Sequence, residues 1–249
     1  MNIFLSGYFM SCSSAYVKRQ NTAKKFTPVT ELQLGRDMAK SITNEYKILA
    51  NKDIATFVNK VGKSTALFSG RADIDYYFGV LDTDDILSFG TPGGYIFISK
   101  GTLKLLENEA QLSALLGHEI AHINRRHILG YLSLFEYSEG PENSKKYQEC
   151  IRKSLDRITI HGFSEEEEDD ADLDTVAILN ETGYFPGAYL EFIKAFKEQD
   201  PSKQESYKKS HPYLNERLVK IEKHLKDEQY DMTKPKNEER YKKNIKALK

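Results

Sequence analysis

The chain has few cysteines, no long apolar run and no excess of charge of either sign. Cys12 and Cys150 are the only cysteines in 249 residues, so a disulfide framework is excluded. No stretch approaches the roughly 18 apolar residues that a membrane-crossing helix needs. The 36 basic residues stand against 37 acidic ones, for a net charge of −1. That balance gives no reason to expect a nucleic-acid partner. No internal repeat is visible. What remains is a chain long enough to bury one good-sized core.

The informative stretch is His118-Glu119-Ile120-Ala121-His122. It lies in a segment with helical periodicity, where residues four apart share a face. Two imidazoles can then converge on one metal ion, and the carboxylate of Glu119 can take a proton from a metal-bound water. A surface helix could produce the pattern by chance, but the flanks speak against that. Leu112, Leu116, Ile120 and Ile123 form one apolar stripe, and Leu115, Ala121 and the two histidines a second face. A helix apolar on two sides is buried, and buried histidines need partners.

A zinc hydrolase wants a third ligand and an open position. A third histidine six residues after His122 would fall on position 128, which is Ile128. His127 is one residue short and lies off the ligand face. The acidic run Ser164–Asp172, SEEEEDDAD, offers carboxylates instead. Read plainly, it is a helix start, with Ser164 as N-cap and acids favoured by the helix dipole. Its continuation is apolar, however, and Glu168 shares a face with Ala171, Asp172, Thr175 and Leu179. Glu168 is therefore the expected third ligand, and Asp172 the acceptor that orients a ligating imidazole. Glu142 is the alternative, within a turn-like Gly140-Pro141-Glu142-Asn143.

Periodicity predicts helices over 30–50, 51–67, 107–130, 145–160, 165–181, 186–199 and 213–226, with strands over 73–81 and 95–98. Strands early and helices late imply an α+β fold. Gly93-Gly94, ahead of the second strand, suit either a tight turn or a close approach of substrate backbone.

Taken in order, these segments resemble the zinc metallopeptidase family of the HtpX, CAAX prenyl protease and BepA type, from about Glu31 to about Glu222. The similarity is carried by Leu34-Gly35-Arg36, by Thr91-Pro92-Gly93-Gly94-Tyr95-Ile96-Phe97-Ile98 and by Glu109–His127. It continues in Ser164–Asp172, Gly183-Tyr184-Phe185-Pro186, Ser210-His211-Pro212 and Glu216-Arg217. The chain departs from the family's pattern at Glu165, where arginine is usual, and at Leu87-Ser88-Phe89, where N-A-F is usual. The resemblance implies a zincin-like metallopeptidase domain, mostly helical, with a small sheet beside the H-E-x-x-H helix. It puts the metal-binding glutamate on Glu168 and brings His211 close to the metal, either as an oxyanion donor or as a blocking ligand; the plain alternative is that His211-Pro212 only starts the last helix. The lack of a bilayer-length run separates the chain from the integral-membrane branch.

Met1–Ser14, MNIFLSGYFMSCSS, resembles the end of a bacterial lipoprotein signal with Cys12 as the lipidated residue. The plain alternative is an N-terminal extension of a cytoplasmic protein. The expected layout is a leader and linker over 1–20, the peptidase domain over 21–230, and a charged tail over 231–249 that reads as a solvated helix or a frayed end.

The whole reading is a zinc endopeptidase of the bacterial cell envelope, holding one Zn2+ per chain on His118, His122 and Glu168. Glu119 is its general base, and a polypeptide is its substrate, with quality control as the expected role. Gly93, Gly94, Tyr95 and Ile96 are the expected substrate contacts, with a substrate strand added near 95–99. The membrane enters only through a lipid at Cys12. The competing reading is a non-catalytic, zinc-stabilised binding or chaperone-like protein, which would have no need of Glu119.

Overall fold

A computed structural model describes residues 13–132, 144–199 and 201–248. Cys12 and Glu142 lie outside the described residues.

The first three helices are α1 (Ser14–Ala23), α2 (Pro28–Glu45) and α3 (Lys52–Ala66). Each starts on a side chain that accepts from an otherwise free N–H: Ser13 from Tyr16, Thr27 from Thr30 and Asn51 from Ile54. Leu34, Met38 and Ile42 of α2 and Ile54, Val58 and Val61 of α3 form the buried stripes.

Three strands follow: β1 (Tyr77–Leu81), β2 (Ser88–Thr91) and β3 (Tyr95–Ser99), in the spatial order β1-β3-β2. β3 runs parallel to β1 and antiparallel to β2, with Tyr95 opposite Tyr77 on one side and opposite Thr91 on the other. Ile96 and Ile98 face one core with Phe78 and Val80, whereas Phe97 and Phe89 face a second core with Leu81. The sheet thus separates two packed clusters.

This order corrects two expectations about substrate contacts. Tyr95 and Ile96 lie on the central strand, whose neighbours already occupy both edges, so no further strand can pair there. Gly93 and Gly94 form the turn between β2 and β3, with φ of 72° and 94°. A Cβ on Gly94 would stand 2.1 Å from the Asp75 carbonyl oxygen, and one on Gly93 3.0 Å from Leu32 Cα. The chain's own backbone takes up the space that their missing side chains leave. Among the described residues, no strand pairs with the outer edge of β2.

The remaining helices are α4 (Lys100–Leu105), α5 (Glu109–Asn124), α6 (His127–Gly130), α7 (Lys145–Asp156), α8 (Glu165–Thr182), α9 (Ala188–Lys197), α10 (Pro201–Ser210), α11 (Leu214–Asp227) and α12 (Glu238–Asn244). The helix expected over 107–130 breaks in two because Arg126 adopts a left-handed conformation, φ 58°. The one expected over 145–160 ends at Asp156 and passes into a π-turn, Arg157–His161. α1, α4 and α10 are not among the helices that periodicity predicts, whereas α12 falls in the tail that reads as a solvated helix or a frayed end. α5 is buried on every side from Glu109 to Ile123, between the sheet, α3 and α8.

Both expected domain edges fall inside the packed body. Residues 14–20 belong to α1, where Arg19 donates to Glu167 at 2.7 Å and to Ser164 at 2.7 Å. The C-terminal segment is a largely exposed helix that is anchored to the body by two buried side chains. Tyr241 and Ile245 have no exposed surface, and the Tyr241 hydroxyl donates to the Leu103 carbonyl at 2.6 Å. Arg240 pairs with buried Glu109 at the start of α5.

Candidate active site

His118 and His122 lie one turn apart on α5, and their Nε2 atoms are 2.9 Å from each other. Glu168 reaches them from the first turn of α8, with Oε2 3.5 Å from His118 Nε2 and Oε1 3.6 Å from His122 Nε2. The capping box of α8 sorts the acidic run. Ser164 accepts from Glu167 N–H, and the Glu167 carboxylate accepts in return from Ser164 N–H. Glu165 turns outward to Lys220 at 2.6 Å, which leaves Glu168 facing α5.

The three ligand atoms lie within 4.8 Å of one another. The wholly buried Glu168 carboxylate faces the two imidazoles on one side and Arg217, whose Nη1 is 2.6 Å from Oε2, on the other. Two imidazoles and a carboxylate fit zinc.

Around these residues stands a layer of charge. Asp172 Oδ1 is 3.1 Å from His118 Nδ1. Arg217, with no exposed surface, grips Asp172 with two N–H donors at 2.8 and 2.7 Å. Its third nitrogen, Nη1, is 2.6 Å from Glu168 Oε2, and Nη2 also donates to the Tyr189 hydroxyl at 2.7 Å. Burial alone would pull the His118 pKa down, but hydrogen bonds to Asp172 and Glu168 push it up to about 9. Burial and the nearby positive charge of His118 hold His122 well below the ordinary histidine value. Tyr189 stacks on His118 and Phe163 on His122, at centroid distances of 5.1 and 4.3 Å.

Glu119 points toward β2. Its Oε1 accepts from Ser88 Oγ at 2.9 Å and from His211 Nε2 at 3.1 Å. Burial would raise its pKa, yet the His211 hydrogen bond and nearby positive charge lower it, so Glu119 is an ionised carboxylate ready to accept a proton. His211 is itself held by Ser210 Oγ at 2.9 Å from Nδ1 and by Tyr207, stacked at 4.3 Å. His118, Glu119, His122, Glu168 and His211 are each no more than 4% exposed.

The structure thus brings His118, Glu119, His122, Glu168, Asp172 and His211 into one cluster, and leaves Gly93 and Gly94 in a turn of the sheet. Ser88, His127 and Arg217 also belong to the cluster, a role that no motif or periodicity assigns to them. Arg217 is a landmark of the resemblance without an assigned partner. Ser88 stands out only as a departure from a motif. His127 faces His122 because of the left-handed turn at Arg126, which periodicity does not reveal.

The model of peptidase family M48 matches residues 55–225. Relatives include the beta-barrel assembly-enhancing protease of Escherichia coli (strain K12), 18% identical over 184 residues, 68% of this chain and 38% of the relative. The Yersinia pestis protein of the same name is 20% identical over 206 residues, 76% of this chain and 42% of the relative. Mitochondrial metalloendopeptidase OMA1 of Bos taurus is 40% identical over 65 residues, 26% of this chain and 12% of the relative. The chain thus spans less than half the length of these relatives. The matched segment contains α5, α8 and both residues of the Asp172–Arg217 pair, and on that match the chain belongs to peptidase family M48, a family of metallopeptidases.

Proposed function

We propose that the chain is a zinc-dependent endopeptidase that holds one Zn2+ on His118, His122 and Glu168. The observation that carries this reading is the buried convergence of those three side chains beside an ionised Glu119. When bound, zinc supplies Lewis acidity, lowering the pKa of water from about 15.7 toward about 7 and polarising a carbonyl. The chain's own residues do the rest. Glu119 takes a proton on its carboxylate and passes it to the leaving amine. Ser88 keeps that carboxylate aimed, and Asp172 fixes the orientation of the His118 ring. Arg217 balances the charge of Glu168 and Asp172, and its guanidinium beside Asp172 holds that carboxyl below the usual carboxylate range.

His211 donates to the oxyanion of the tetrahedral intermediate, since its Nε2 already lies on the Glu119 side of the pocket. The substrate backbone runs along the outer edge of β2, the strand that carries Ser88, rather than along β3.

The physiological substrate is a misassembled polypeptide of the bacterial cell envelope, and the chain reaches the membrane through a lipid on Cys12. Support comes from relatives named for beta-barrel assembly and from the lipoprotein-like leader. No helix of the described residues is long and apolar enough to cross a membrane. Mass spectrometry of the native protein should find a mature chain that begins at modified Cys12, and an unmodified Met1 would overturn the anchor.

Cleavage of casein or a quenched peptide by the purified chain, with and without chelator, tests the activity. Chelator-sensitive cleavage restored by zinc supports it. Zinc binding without any cleavage would favour the non-catalytic binding protein.

A further inference from the structure

Each imidazole that faces the metal pocket has a second ring nitrogen with a partner of its own. On His118 that nitrogen meets the Asp172 carboxylate. On His122 it meets another histidine: Nδ1 of His127 lies 2.8 Å from Nδ1 of His122, and both rings are buried. Two imidazole nitrogens at that distance bond only if one carries a proton and the other offers a lone pair. His122 can ligate through Nε2 only when that nitrogen is unprotonated, so its proton must sit on Nδ1. His127 Nδ1 is then the acceptor, and His127 carries its own proton on Nε2. That atom is buried without a hydrogen-bond partner, 4.0 Å from Asp170 Oδ2.

The local backbone is built around this contact. α5 ends at Asn124, and Arg126, a non-glycine residue, takes a left-handed conformation. The Arg126 side chain is tied down by the Phe26 carbonyl at 2.6 Å and by Glu31 at 3.0 Å. α6 then restarts at His127, whose ring comes back over His122 with centroids 5.0 Å apart. A helix continued straight through position 126 would carry residue 127 away from the ligand face.

We propose that His127 is a positioning residue. It accepts the Nδ1 proton of His122, fixes the tautomer that can bind metal, and thereby sets the affinity of the site for zinc. The inference rests on the zinc reading above but not on turnover. Without an acceptor at that place, the buried N–H of His122 is unsatisfied, and the tautomer with its proton on Nε2, facing the pocket, competes with the metal.

Zinc affinity measured by competition with a chelator tests this on the full chain and two variants. His127→Leu fills the space without an acceptor, and His127→Asn restores one. His127→Leu should bind zinc roughly 10–100-fold more weakly, and His127→Asn should return close to the unsubstituted chain. Unchanged affinity in His127→Leu overturns the proposal. Equal loss in both variants also overturns it, because the ring would then act by packing alone. Nitrogen NMR of labelled histidines in the zinc-loaded unsubstituted chain gives the same answer should the variants not fold. His122 protonated at Nδ1 and His127 unprotonated at Nδ1 is the expected pattern, and a protonated His127 Nδ1 overturns it. Zinc binding without peptide cleavage would sink the endopeptidase reading and leave this one standing. Full cleavage activity with unaltered zinc affinity in His127→Leu would do the reverse.

Discussion

At the scale of single residues, the acidic run that opens α8 shows how burial separates neighbours of the same type. Glu166 is partly exposed, whereas Glu168 is wholly buried against His118 and His122. Glu168→Ala should therefore lower zinc stoichiometry, and Glu166→Ala, which removes the same charge from the same turn, should not. Equal metal content in both variants would remove Glu168 from the ligand set. His211 offers a sharper kinetic test. If its Nε2–H is an oxyanion donor, His211→Ala should cut kcat by about 10²–10³. A rise in activity would instead mark it as a block on the site. The i, i+4 spacing of the histidines was legible because a helix fixes it, and the face of Glu168 followed from the apolar residues after it. The roles of Ser88, His127 and Arg217 depend on contacts between distant segments. Ser88 meets Glu119 across 31 positions and Arg217 meets Asp172 across 45, and no local period encodes either meeting.

At the scale of elements, long helices with a clear stripe were legible, and short or edge elements were not. α2, α3 and α8 follow their apolar periods to within a few residues. β2 escaped notice because Ser-Phe-Gly-Thr is too short to show alternation. Its position matters, since it pushes Tyr95 and Ile96 to the middle of the sheet and makes β2 the strand beside Glu119. The docking of α12 was not legible because its charged sequence hides two core residues, Tyr241 and Ile245, that only the packed structure places. Tyr241 is fully buried against α3 and α5, and its hydroxyl is satisfied by Leu103. Tyr241→Ala should destabilise the fold by about 3–5 kcal/mol, as large aromatic truncations in cores do. A denaturation midpoint unchanged by that substitution would restore the tail to a solvated extension.

At the scale of the whole molecule, the centre is a closed cluster of charges in a low-dielectric body. Glu119 and Asp172 have pKa values below their ordinary values of 4.5 and 3.8, because their partners' positive charge outweighs burial. A carboxylate whose pKa is lower folded than unfolded stabilises the fold above its unfolded value, and that contribution is lost as pH falls through the folded one. Metal-free protein should therefore lose stability progressively below about pH 4. Denaturant titrations at descending pH check this, and a stability that stays level from pH 7 to about 3 would contradict the paired, ionised state of these acids. Glu119, the proposed general base, joins this charge cluster to the chemistry, so Glu119→Gln is the most direct probe of the molecule as an enzyme. Peptide cleavage and zinc content should be measured together in the unsubstituted chain and in this variant. One zinc per chain in both, with cleavage reduced at least 10²-fold in Glu119→Gln, is the expected result. Unreduced turnover in a zinc-loaded Glu119→Gln would contradict it.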